Sequence, residues 1–257
     1  MKNRKYLFFD IDGTLVDENK HMPESTKRTL DQLKQNGHFV AIATSRPYCL
    51  TYEQAKSLDI SNYVCDGGDG IVIDDHVEVL RPLNLEDALM CAKECLENNF
   101  PIASSIDTTN YRYSFDGRFI SLHPELKDAF DFKTKEDFDV LKASRIHKMC
   151  IHASIEDEIK IPSLKKLPHY RLSATCILVE ATYKFKGIQE MIEKVNGNLE
   201  DVIVFGDGFN DLEMFEHAPF SVAMGNAVDP LKRLASMVTK DIHEDGIEYA
   251  CQYLNLI

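Results

Sequence analysis

The feature that most constrains this chain is a rhythm that runs, breaks and resumes. Short apolar runs at 6–9, 39–43 and 63–65 alternate with amphipathic stretches between them. Runs of this length without polar alternation suit strands buried on both faces. The first helical stretch takes Ser25 as its cap, continues through Leu30 and Leu33, and stops at Asn36-Gly37. A second helix is expected over 47–58, with Pro47 in its first turn. Strand, helix, strand, helix, strand is the pattern of a parallel sheet with helices on both faces.

The rhythm breaks at Asp66-Gly67-Gly68-Asp69-Gly70, after which 71–73 and 77–80 flank Asp74-Asp75-His76 as a hairpin. From 83 to 183 the pattern changes. One helix presents Leu85, Ala88, Leu89, Ala92 and Leu96 on a single face. Strands are expected at 102–105, 111–115, 148–152, 170–173 and 177–180, with a helix over 155–167. Such a segment folds as helices on one side of a mainly antiparallel sheet. The alternation then returns. Ile188, Met191, Ile192 and Val195 mark a helix, 202–205 a buried strand, 212–217 a helix and 220–223 a strand. Helices near 231–235 and 244–253 follow. The expected fold is α/β: a Rossmann-like doubly wound parallel core, residues 1–82 and 184–257, with an inserted α+β cap domain, residues 83–183.

Composition removes several function classes. Among 257 residues, 42 Asp and Glu face 29 Lys and Arg, for a formal charge of −13. Nucleic-acid backbones and anionic membrane surfaces both want a basic face, so neither is an expected partner. The seven cysteines are odd in number and scattered, which reads as buried thiols in a reducing compartment. Cys91 and Cys95 lack the neighbouring ligands of a zinc site. The apolar run at 6–9 is too short for a signal peptide, and no stretch is long enough to span a bilayer, so the cytoplasm is the expected location.

Two acidic loops carry the chemistry. Asp10-Ile11-Asp12-Gly13-Thr14 follows the first strand, and Gly206-Asp207-Gly208-Phe209-Asn210-Asp211 follows the strand at 202–205. Ligands of open α/β sheets bind beyond the carboxyl ends of strands. Asp and Gly after a strand also make ordinary turns, but two such loops at equivalent strand ends would crowd four carboxylates unless a cation neutralised them. Mg²⁺ suits that arrangement, being a hard ion that prefers carboxylate oxygen and keeps water positions open for a phosphate. A calcium loop of the EF-hand kind does not fit, because a strand precedes Asp10 and Gly13 falls at position four of such a loop.

If the chain stays extended, Asp10 and Asp12 share one face. One carboxylate could then attack phosphorus while the other handles a proton. Thr44, at the end of the second strand, is a candidate phosphate donor beside free helix N–H groups, or an ordinary N-cap. Lys186, at the start of an amphipathic helix, is a second candidate, or a solvated surface lysine.

With these residues in order, the sequence resembles the haloacid dehalogenase superfamily of phosphatases, and within it the Cof-type hydrolases with a large α/β cap. Asp10-x-Asp12-Gly13-Thr14-Leu15, Thr44, Lys186-Gly187 and Gly206-Asp207-Gly208-x-Asn210-Asp211 match its four motifs, and Val222–Ala227 and Asp245-Gly246 match the subfamily. The resemblance implies that Asp10 is the nucleophile and a metal ligand. It implies that Asp12 is the general acid/base and binds metal through its carbonyl, and that Asp207 and Asp211 complete the metal site. It places Ile11, Thr44, Ser45, Lys186 and Asn210 at the phosphate. Many relatives have Gly where this chain has Ser45, Asn where it has Asp66, and a Pro-x-Gly turn before the lysine that is missing here. Lys184 is therefore an alternative to Lys186, which is preferred because Gly187 follows it.

The expected function is Mg²⁺-dependent hydrolysis of small organic phosphate monoesters, sugar phosphates first, through an aspartyl-phosphate. A phosphomutase of the same architecture is the alternative, and a non-catalytic phospho-ligand binder is less favoured because binding needs no nucleophile. In the cap, Arg112, Tyr113, Arg118 and His123 either reach a cleft or, as favoured, lie at the surface.

Overall fold

Tyr6–Phe9 forms the central strand because all four residues are buried, Leu7, Phe8 and Phe9 completely. A strand covered on both faces has no place for polar alternation, which is why its sequence is a plain apolar run. A computed structural model describes residues 4–128 and 131–257. In chain order the first elements are β1 (Tyr6–Phe9), α1 (Glu24–Gln35), β2 (Phe39–Ala43), α2 (Tyr48–Ser57), β3 (Tyr63–Cys65), β4 (Gly70–Ile73) and β5 (His76–Leu80). There follow α3 (Leu85–Glu97), β6 (Ile102–Ser105), β7 (Tyr111–Ser114), α4 (Arg118–Leu122), β8 (Asp131–Thr134), β9 (Lys148–His152), β10 (His169–Arg171) and β11 (Cys176–Val179). The chain closes with α5 (Lys184–Lys194), β12 (Val202–Gly206), α6 (Leu212–His217), β13 (Phe220–Ala223), α7 (Asp229–Leu234), β14 (Met237–Val238) and α8 (Gly246–Tyr253).

These elements make two compact units. One comprises the residues up to 46, 51–79 and 182–257; the other comprises 47–50 and 80–181. Residues 47–50 and 80–82, expected in the core, group with the second unit, and 182–183, expected in the cap, group with the first. Leu83 sits in the core of the second unit and its N–H donates to the Ile146 carbonyl at 2.8 Å. Tyr183 belongs to the first unit: its N–H donates to the Gly67 carbonyl at 2.9 Å and its hydroxyl to the Asp69 carboxylate at 3.2 Å.

The first unit holds an eight-stranded sheet in the order β14-β13-β12-β1-β2-β3-β4-β5. Strands β14 through β3 are parallel, and β4 runs antiparallel to β3. The order leaves β1 in two directions, to β2 and β3 on one side and to β12 and β13 on the other. That reversal is the topological switch point at which α/β sheets open a crevice. On the sheet, α1 packs against α8, while α5 packs against α6 and α6 against α7. This is the doubly wound α/β class.

The second unit holds a six-stranded sheet in the order β10-β11-β9-β6-β7-β8. It is antiparallel except for the parallel pair β7–β8. Its α3 buries Ala88, Cys91, Ala92 and Cys95 against Met149, Ile151, Ile177 and Val179 of the sheet.

Several local expectations are corrected. Ser25 is buried inside α1 and does not cap it; Pro23 precedes the helix and its carbonyl accepts the first helical N–H, from Lys27. The helix expected over 155–167 is two short 3₁₀ turns, Glu156–Lys160 and Pro162–Lys166, because Pro162 offers no N–H to a continuing ladder. Of the cap residues expected at the surface, Arg112, Tyr113 and His123 are buried and Arg118 is exposed. Tyr113 donates its hydroxyl to Asp107, and His123 and His152 share a hydrogen bond at 2.9 Å.

Leu7→Ala would leave a cavity in the central strand. We expect a loss of about 2–5 kcal/mol in stability, read as a lower urea midpoint with an unchanged denaturant slope; an unchanged midpoint would contradict the central place given to β1.

Candidate active site

The crevice at the switch point is lined by the loops after β1 and β12. The Asp10 N–H donates to the Phe205 carbonyl at 3.0 Å, which continues the β1–β12 ladder and holds Asp10 at the strand's end. Asp10, Asp207 and Asp211 gather there, their nearest carboxylate oxygens all within 4.8 Å of one another. Asp10 is 4% exposed and Asp211 fully buried.

Close approach of these loops depends on two glycines. Gly13 has φ +77°, and a side chain there would run into the Asp207 carboxylate. A side chain at Gly206 would run into the Asp211 carboxylate. Asn226 ties the neighbourhood together, donating to the Gly13 carbonyl at 2.8 Å and accepting from the Ile242 N–H at 3.1 Å.

Lys184 supplies the positive charge. Its ammonium donates to Asp10 Oδ1 and to Asp211 Oδ1, each at 2.7 Å, and the lysine is 1% exposed. The other Asp211 oxygen accepts the backbone N–H groups of Asp207 and Gly208, both at 3.0 Å. Asp211 thus also braces the loop. Thr14 Oγ1 donates to Asp207 Oδ1 at 2.9 Å, a partner that the sequence pattern did not single out.

Charge is unbalanced at this point. Three carboxylates face one ammonium. Burial, then the charge of Asp211, raises Asp10 to about 7 despite the pairing with Lys184. Burial, then Asp211, raises Asp207 to about 6, against the hydrogen bond from Thr14. Burial alone would lower Lys184, but the charges of Asp10 and Asp211 outweigh it and the ammonium is held above its usual range. Hard oxygen donors with surplus negative charge fit a divalent cation, and the group could hold one.

The structure separates some residues that the sequence placed together. The chain does not stay extended after Asp10: the Ile11 carbonyl accepts the N–H groups of Leu15 and Val16, both at 2.9 Å, in a tight turn. Asp12 therefore leaves the trio. Its half-exposed carboxylate is held by Lys20 at 2.6 Å and by Arg46 at 2.7 and 2.9 Å. Burial would raise it, yet the Lys20 hydrogen bond and the Arg46 charge prevail and hold it below the usual carboxylate range. Thr44 is buried at the end of β2, its Oγ1 accepting from the Arg46 N–H at 3.2 Å, and Ser45 follows half-buried. Asn210 lies exposed on the loop after β12.

Lys186 is not among the residues that hydrogen-bond this group. It is exposed, and its ammonium lies 4.8 Å from the centre of the Tyr183 ring, away from the carboxylates. α5 begins at Lys184, so Lys184, Ile188 and Met191 share the inward stripe while Lys186 points out. Gly187 has another cause: a side chain there would press on Gly68 backbone and Val64. It marks the close packing of α5 on β3, and carries no information about which lysine turns inward.

An α/β sheet with paired acidic loops and a buried lysine at its switch point is the architecture of a phosphoryl-transfer hydrolase. The chain belongs to the haloacid dehalogenase-like hydrolase family, whose model matches residues 7–251, and is a phosphatase of that type. It is 33% identical to the Bacillus subtilis protein YkrA over 261 residues, 98% of each chain. It is 28% identical over 282 residues to the 5-amino-6-(5-phospho-D-ribitylamino)uracil phosphatase YitU of Bacillus subtilis, covering all of both chains. Among solved structures it is similar to the subclass IIB sugar phosphatase BT4131, at 29% identity and a TM-score of 0.76, covering 98% of this chain and all of that one. No helix among the described residues is long and apolar enough to cross a membrane.

Lys184→Met would leave Asp10 and Asp211 buried without their cation. We expect a loss of about 3 kcal/mol or more for Lys184→Met and less than about 0.5 kcal/mol for Lys186→Met, from urea unfolding at pH 7.5. Equal effects would refute the assignment of Lys184 as the buried counter-charge.

Proposed function

We propose that this phosphatase is Mg²⁺-dependent and hydrolyses small organic phosphate monoesters, sugar phosphates first, by passing the phosphoryl group through Asp10. The observation that carries this reading is the seat of Asp10. Its carboxylate lies at the end of the central strand, one oxygen bonded to Lys184, within a trio of carboxylates. The names of YitU and BT4131, which place phosphate on a ribityl chain and on a sugar, support the substrate class.

In this mechanism an Asp10 oxygen attacks phosphorus and the bond from phosphorus to the substrate oxygen breaks. Asp12 gives its proton to the departing alkoxide. It then takes a proton from water, whose oxygen attacks phosphorus, and the bond to Asp10 breaks to release inorganic phosphate. In the arrangement described, Lys20 and Arg46 keep Asp12 as a carboxylate, the form needed for the second step. The first step requires Asp12 to exchange those partners for a proton.

Lys184 takes the phosphate role expected of Lys186, being the lysine that touches the nucleophile. Thr44, Ser45, Asn210 and the backbone around Ile11 are the remaining phosphate donors. Asp10, Asp207 and Asp211, with the carbonyl of Asp12, would hold Mg²⁺. When bound, the ion would offset the trio's charge and draw electron density from the phosphoryl oxygens.

Asp10→Asn retains the shape and loses the nucleophile. We expect at least about a thousandfold loss of phosphate release from a panel of sugar phosphates, with a normal thermal melt. Turnover within tenfold of the parent, or an isomeric sugar phosphate as product in place of free phosphate, would overturn the reading.

The raised carboxyls give a second test. In metal-free protein, the contributions of Asp10 and Asp207 to stability are fully present below about pH 4, their unfolded range. They are lost as pH rises through about 6 and 7. A cation that replaces those protons should therefore stabilise more at pH 7.5 than at pH 5. We expect Mg²⁺ to raise the melting temperature of EDTA-treated protein more at the higher pH, and an equal or reversed effect would count against the site.

A further inference from the structure

We propose that the second unit carries a binding site for a small organic cation with an apolar body. The site is a cavity of about 610 Å³ beside the carboxyl end of α3. That volume lies within the range of small-molecule pockets, roughly 300–1,000 Å³. None of its lining comes from the acidic loops or from α5, so it stands apart from the phosphatase reading.

Leu96, Phe100, Phe115 and Phe138 supply the apolar wall. Phe115 is 58% exposed and Leu96 43% exposed. Large apolar side chains left open side by side in a concavity lose hydration cost when a ligand covers them.

Acidic groups surround that wall: Asp116, Glu136, Asp137 and Asp139. Two of them are already matched. Asp116 accepts from Arg118 Nε at 2.5 Å, and the Arg118 guanidinium also donates to Asn99 Oδ1 at 2.9 Å. Asp139 is paired with Lys142 at 3.2 Å. Glu136 and Asp137 are exposed and have no ion pair among the described residues. Two uncompensated carboxylates beside an aromatic wall select for positive charge.

The rings point the same way. Aromatic faces attract cations through their quadrupole. The Lys160 ammonium already lies 5.7 Å from the centre of the Phe100 ring. A ligand with an aryl or alkyl body and an ammonium group would cover Phe115 and Leu96 and set its charge against Glu136 and Asp137. An anion would meet the acidic rim. A neutral body of equal size would gain the wall and forgo the charge. The net charge of −13 further raises the local concentration of cations.

The experiment uses the full chain and phenylbutylammonium as probe, with phenylbutanol and phenylbutanoate as matched neutral and anionic compounds. Titration followed by amide NMR shifts is expected to saturate for the cation, with the largest shifts near Leu96, Phe115 and Phe138. The alcohol and the anion should bind at least about fivefold more weakly, and the double variant Glu136→Gln, Asp137→Asn should weaken the cation by about fivefold, as two partly exposed charge pairs would. Phe115→Ala should weaken cation and alcohol alike. These side chains are exposed, so each variant should melt as the parent does. Absence of saturation, equal binding of alcohol and cation, or a double variant that binds the cation undiminished would each overturn the proposal.

Discussion

The pairing of Lys184 with Asp10 and Asp211 is the interaction on which the architecture of the active centre rests. Burying two carboxylates without a partner costs several kcal/mol each. The parallel sheet brings them to one crevice by topology alone, and the ammonium at 2.7 Å from both makes that placement tolerable. Everything else in the site is arranged around it. Asp211 spends its second oxygen on the backbone of the loop after β12, so the same carboxylate that accepts the lysine also shapes the loop that presents Asp207.

The match is deliberately incomplete in the electrostatic sense: one ammonium against three carboxylates leaves room for a divalent ion. A site neutralised in full by lysines would be more stable without metal and would have no oxygen surplus to bind it. Gly13 and Gly206 permit the crowding, since a side chain at either would occupy carboxylate space. The surplus of carboxylate oxygen is thus set by sterics as much as by charge. Burial and like charges brought this close disfavour full ionisation, which is why Asp10 and Asp207 are both raised above the usual carboxylate range.

Much of the fold was legible because burial on both faces leaves a simple signature. β1, β2 and β12 read as apolar runs, and α5 as an apolar stripe, because each meets water on no face or on only one. Elements that depend on neighbours for their hydrogen bonds left no such mark. β8 is largely exposed, with the sequence Asp-Phe-Lys-Thr, and β14 is two residues long at the sheet edge. The site divides the same way. Asp10, Asp207 and Asp211 follow strands whose parallel neighbours could be inferred, so their meeting could be expected. Gly187 favours Lys186 by motif, whereas the periodicity of α5 sets Lys184 in line with Ile188 and Met191. The Thr14–Asp207 and Arg46–Asp12 pairings had no sequence signal, since a hydroxyl or guanidinium reaches its partner by a path that spacing does not encode. The cavity beside α3 is of this kind too, joining residues from 96 to 140 that share no periodicity.

By itself, the sequence determined the class of fold and which acidic loops would lie at the ends of buried strands, because both follow from local periodicity and from the rule that parallel strands end on one edge. Only the tertiary structure decided which lysine is the buried counter-charge, that Asp12 stands apart from the other three carboxylates, and where the second unit leaves an open apolar wall. Those outcomes turn on side-chain direction and on ångström-scale distances between segments far apart in the chain. Such quantities are fixed when helices and loops pack, and no one-dimensional pattern records them.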